Sequence, residues 1–81
     1  MKAKAEFLAP NQCIIYTDKG QIFQSYNSII VKIENGTVTL DERFWDCSQT
    51  TGKYRNKFLC ETKKETQAKI DSGEYQLDNL N

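Results

Sequence analysis

Apolar and polar positions alternate with period two between residues 12 and 45, then give way to sparse helical spacing between residues 51 and 72. The firmest local signal is Asn35-Gly36, the pair preferred in a two-residue type I′ turn because both residues accept positive φ. That turn pairs Glu34 with Thr37, Ile33 with Val38 and Val31 with Leu40 on one apolar face. Lys32 then lies opposite Thr39 on a mostly polar face, with Ile30 near Asp41. A second hairpin is expected at Asp18-Lys19-Gly20, between strands Cys13–Thr17 and Gln21–Tyr26. A three-residue loop there puts Ile15 with Phe23 on one face and Tyr16 with Ile22 on the other.

Beyond Trp45 the pattern is helical. Ser48-Gln49-Thr50-Thr51-Gly52 offers capping hydroxyls for a short helix over Lys53 to Glu61, with Tyr54 and Phe58 on one face and Leu59 beside them. Thr62-Lys63-Lys64-Glu65 reads as a capping box opening a second helix to about Ser72, stopped by Gly73. Only Ala68 and Ile70 are apolar there, so weak packing is expected. Glu74–Leu77 alternates again. The fold class is therefore α+β: a small antiparallel sheet of two hairpins, two short helices and a C-terminal edge strand, in one domain over residues 1–81.

Composition narrows the chemistry. At 81 residues with 38% hydrophobic side chains and a mean hydropathy of −0.68, the core is small. A chain this short buries only about 60% of its unfolded surface. Without histidine, imidazole acid–base chemistry and histidine metal ligation are excluded. Cys13, Cys47 and Cys60 are odd in number and form no C-x-x-C pair, so they are expected to be reduced and mostly buried. No apolar run follows the N-terminal lysines and none approaches the roughly 20 residues of a membrane helix. The expected location is cytoplasmic, with no membrane partner.

Catalytic constellations are thin. Cys47 has no histidine to activate it. The carboxylate pairs Asp41/Glu42 and Glu42/Asp46 lack the deep cleft that glycosidase chemistry needs, and with Asp41 they lack the rhythm of a calcium loop. No enzyme, cofactor or metal is expected. Charge is more informative. Residues 51–70 carry Lys53, Arg55, Lys57, Lys63, Lys64 and Lys69 against two glutamates, a net +4 that leaves −4 on the remainder. Tyr54 sits among these cations, the material of phosphate or single-strand contact. Ser48, Thr50 and Thr51 ahead of Lys53 and Arg55 suit either helix capping or anion binding at a helix N-terminus. They do not form a Walker loop.

The stretch Phe23-Gln24-Ser25-Tyr26-Asn27-Ser28-Ile29-Ile30 and the run from Trp45 to Leu59 resemble an uncharacterised family of small proteins from phages and related mobile elements. Its marks are an SYN(S/T)-I-I strand, an NG or DG hairpin and an S-x-T-T-x-K-x-x-x-x-F-L segment, which cover about residues 12–60 here. The resemblance carries no catalytic residue. It implies a short host-cytoplasmic protein that occupies a surface on a host machine. The expected function is thus a non-enzymatic interaction protein for a host protein or nucleoprotein complex, in its most specific form an anti-CRISPR or other anti-defence inhibitor. The alternative is nucleic-acid binding through Lys53, Arg55, Lys57, Lys63 and Lys64. A small anion at Ser48–Lys53, and a homodimer formed through the edge near Gln12–Thr17 or the C-terminal strand, stay open.

Overall fold

In the computed structural model, which describes residues 4–81, the chain lays down β1 (Lys4–Ala9), β2 (Gln12–Thr17), β3 (Gly20–Ser25), β4 (Ser28–Glu34) and β5 (Thr37–Asp41). These form an antiparallel meander in chain order. Helices α1 (Gln49–Leu59) and α2 (Lys63–Asp71) follow, and β6 (Gln76–Asp78) returns to pair in parallel with β5 at the sheet edge. The α+β class holds. No helix among the described residues is long and apolar enough to cross a membrane.

The β4–β5 hairpin has the expected register, from Glu34↔Thr37 to Val31↔Leu40, with Asn35 at φ 51° and Gly36 at φ 80°. Ile30 departs from strict alternation. The register shifts between β3 and β4, from Phe23↔Val31 to Gln24↔Ile29. That leaves Ile30 as the extra residue of a β-bulge, which re-aims side chains. Ile30 and Val31 both join one core with Phe23, Leu40 and Tyr75.

The strands need correction in three places. The β2–β3 loop contains only Asp18 and Lys19, because Gly20 pairs with Thr17 as the first residue of β3. The register therefore slides by one: Ile14 faces Phe23, and Ile15 faces Ile22 on the opposite side. Tyr26 leaves the strand for a two-residue turn with Asn27, at φ 55°. The remaining miss is β1, whose Lys-Ala-Glu-Phe-Leu-Ala pattern has too few large apolar residues to stand out. It pairs with β2 through a bulge after Phe7.

Helix α1 begins at Gln49, four residues before the expected start, so Thr51 and Gly52 lie inside it. Its apolar stripe packs as predicted: Phe58 stacks on Phe23 with ring centroids 5.6 Å apart, and Tyr54 and Leu59 adjoin the core. α2 opens with the complete Thr62/Glu65 capping box, and Gly73 follows at φ 84°. Between the helices, Glu61 accepts from Lys69 Nζ (2.8 Å), Thr66 Oγ1 (2.5 Å) and the Tyr75 hydroxyl (2.8 Å). Burial raises the Glu61 pKa, but these donors outweigh it and hold it below the usual value.

The cysteines are all free, but only Cys13 is half-buried; Cys47 and Cys60 are exposed, against the expectation of mostly buried thiols. Cys60 ends α1 in the left-handed region at φ 57°, where a helix normally places glycine. Replacing Cys60 with glycine relieves the Cβ–carbonyl crowding of that conformation. The variant is expected to be about 0.5–1 kcal/mol more stable by urea unfolding.

Candidate functional site

The expected site residues converge on the first turns of α1, though not all as surface groups. Ser48 is the N-cap, extended at φ −160°, and its side chain accepts from the Thr51 N–H at 3.1 Å. The Thr51 hydroxyl lies 2.9 Å from Ser25 Oγ and accepts from Ser48 Oγ at 3.1 Å. At 1% exposure, Thr51 pins the helix to β3 and is not available to a partner. Thr50 is exposed beside it.

Arg55 is the larger surprise. It is 1% exposed, although the sequence places it among surface cations. Nη1 donates to the Trp45 carbonyl at 2.6 Å and to Asp46 Oδ1 at 3.3 Å, and Nη2 donates to Asn56 Oδ1 at 3.0 Å. The guanidinium stacks 5.1 Å from the Trp45 ring centroid. Thr51, Gly52 and Arg55 form the buried face of α1, so the helix meets the sheet here through a polar seam. Arg55 Nε and both amide atoms of Gln12, which pairs with Ser25, are buried there without partners.

The remaining cations divide by partner. Lys63 pairs with Asp46 Oδ2 at 2.6 Å and Lys69 with Glu61. Burial raises the Asp46 pKa, but the bonds from Lys63 and Arg55 more than reverse this and lower it. Lys53 and Lys57 both stand over the Tyr54 ring, at 5.4 and 5.1 Å from its centroid, and are exposed. Lys64 is exposed at the start of α2. Tyr54 and Trp45, whose exposure the sequence leaves open, are both half-buried against the core.

Ser48, Lys53, Arg55 and Lys63 line one concavity of about 540 Å³ between the start of α1 and the start of α2. Gln49, Gly52 and Asn56 complete its α1 side, and Asp46 is its one carboxylate. Thr50, Tyr54, Lys57 and Lys64 lie outside it. No group of three or more Cys, Asp or Glu among the described residues is placed to hold a metal.

A second surface escapes sequence reasoning. The pairing register aligns Phe7, Cys13, Gln24 and Ile29 in one row across the sheet, and Ala5, Ile15, Ile22, Lys32, Thr39 and Gln76 in the next. These rows face away from the core cluster, which takes Phe23, Val31 and Leu40 from the other face. Tyr54, Phe58 and Leu59 of α1 and Ile70 of α2 pack on that core side. Phe7 is 71% exposed. The signal was present in Ile14-Ile15 and Ile22-Phe23, where neighbouring apolar residues give both faces apolar groups.

The fold thus defines a class: a small α+β domain with one mostly antiparallel sheet, helices on one face and a bare apolar patch on the other. The model of DUF8033, a family of unknown function, matches residues 1–74, and the chain belongs to that family. This agrees with the resemblance to an uncharacterised family. No curated protein and no solved structure matches the chain.

Proposed function

We propose that this is a non-enzymatic interaction protein that docks on another protein through the open face of its sheet. The observation that carries the reading is Phe7, 71% exposed, in register with Cys13 and one row away from Ile15 and Ile22. The only charge in these two rows is Lys32, itself 3.5 Å from Glu34. A face so poor in charge suits an apolar protein surface better than a phosphate backbone. The more specific form is a phage or mobile-element inhibitor of a host defence machine, of anti-CRISPR type, which rests on the resemblance of residues 12–60.

Nucleic-acid binding is the second reading, supported by Lys53 and Lys57 around Tyr54. It has fewer cations than the sequence implies, because Arg55 is buried and Lys63 is paired. Affinity capture from host lysate with three baits separates the two. Phe7→Glu is expected to keep the wild-type melting temperature and lose the captured protein. The double variant Lys53→Glu/Lys57→Glu is expected to keep it. Retention by Phe7→Glu with loss by the lysine variant transfers the interface to α1. A dimer in light scattering that Phe7→Glu dissociates would put a second copy on the face instead.

A further inference from the structure

The edge of a sheet offers a row of backbone N–H and C=O groups to any strand that can lie beside it. β1 is the terminal strand of the meander. The edge expected at Gln12–Thr17 is therefore taken, and Lys4–Ala9 is the edge in its place. We propose that β1 pairs antiparallel with β1 of a second copy, about a twofold axis centred on Ala5, and joins the two sheets into one.

Edge strands are normally guarded by charge, and here the guard is complementary to itself. A twofold axis normal to the sheet sets one residue of β1 opposite its own copy. Centring on Lys4 or Glu6 would oppose like charges, which destabilises strand pairing. Centring on Phe7 or beyond would carry the ladder across the bulge after Phe7, where pairing is disrupted. Ala5 remains, and it sets Lys4 of each copy opposite Glu6 of the other. Neither residue has an ion-pair partner among the described residues. Glu6 accepts from the Tyr16 hydroxyl through Oε1 at 2.8 Å, which leaves Oε2 for the lysine.

The other face of the strand fits as well. Phe7 is 71% exposed, whereas Ile15 and Ile22, on the same uncovered face, are half-buried. The difference is that β2 and β3 have neighbours on both sides and β1 on one. With Ala5 at the centre, each Phe7 lies diagonal to Ala5 of the second copy, within reach of an aromatic side chain, and the small methyl leaves the ring room. The pairing goes beyond the docking proposed above and does not rest on it. Ile15 and Ile22 stay uncovered, and Lys4 and Glu6 lie on the opposite face from Phe7, in register with Tyr16 and Ile14.

Sedimentation velocity of the full chain, at concentrations up to about 1 mM where weak association still registers, should show a monomer–dimer equilibrium. Lys4→Glu and Glu6→Lys, both at exposed positions, each oppose like charges twice in the dimer. Each should weaken it at least about fivefold with an unchanged circular dichroism spectrum. An equimolar mixture of the two variants puts opposite charges back at both positions and should recover the dimer. A chain that stays monomeric over the whole range, single variants that dimerise as the wild type does, or a mixture no more dimeric than its components would each overturn the proposal.

Discussion

Replacing Asp41 with alanine is expected to cost about 3–5 kcal/mol, because it leaves several amide donors without their charged acceptor. A domain of this size has only about 4–12 kcal/mol to lose. The carboxylate is fully buried. Oδ2 accepts from the backbone N–H of Arg43 (3.0 Å) and Phe44 (2.9 Å), which shapes the turn after β5. Oδ1 accepts from Leu80 N–H (2.8 Å) and from Asn81 Nδ2 (3.0 Å). Asn81 in turn brackets Ile29, accepting from its N–H at 2.8 Å and donating to its carbonyl at 3.0 Å. One side chain therefore closes both the connection to α1 and the segment after β6.

Asp41→Asn, which keeps the shape and one acceptor oxygen, should cost less in urea unfolding than Asp41→Ala. A loss below 1 kcal/mol in the alanine variant would sink the clasp. The pH dependence has a definite sign. Burial raises the Asp41 pKa, but the four hydrogen bonds outweigh it and hold the folded-state value below that of the unfolded chain. Its stabilisation is thus complete above about pH 4, the ordinary carboxylate value, and disappears as pH falls through the folded-state pKa. Asp46 and Glu61 are lowered as well and add in the same direction. Acid unfolding should begin below about pH 4, with a shallower slope in Asp41→Ala.

Gly20→Ala is expected to cost about 3 kcal/mol or more, which lowers the melting temperature by at least roughly 12 °C. A Cβ at Gly20 would overlap the carbonyl oxygen of Ile33. Both groups are backbone in paired strands, so neither can rotate away. Gly20 pairs with Thr17 on one side and Glu34 on the other, and the Asn35 N–H donates to the Lys19 carbonyl at 2.9 Å beside it. The two hairpins meet at this point. Gly36→Ala is the control: its φ of 80° is equally unsuited to alanine, but a Cβ there meets nothing within 4 Å. It should cost only about 1 kcal/mol. Equal losses in the two variants would show that backbone conformation, and not the close approach, governs Gly20.

Gly20 also shows why the sequence misleads locally. Read as a turn residue, it predicts a three-residue loop; placed by the Ile33 carbonyl, it becomes a strand residue and shifts the register by one. Gly52 misleads in the same way, because a glycine after three hydroxylated residues looks like the lead-in to a helix when it is part of one. Asp41 reads as a solvated acid beside Glu42, and only the return of residues 80 and 81, some forty positions later, makes it a buried acceptor.

What the sequence by itself determined were the features governed by neighbours: the Asn35-Gly36 turn and its register, the Thr62/Glu65 capping box, the Tyr54/Phe58 stripe, and the α+β class that their order implies. Each rests on a contact within a few residues, where backbone preference and side-chain period suffice. The tertiary structure alone decided which cations are free, since burial of Arg55 depends on Trp45 and Asp46 lying over it. It alone decided that Phe7 stands on an open sheet face, since β1 gains its partners only by pairing with β2. Pairing and burial are properties of distant segments brought together, and an amphipathic pattern does not specify which of its faces another layer will cover.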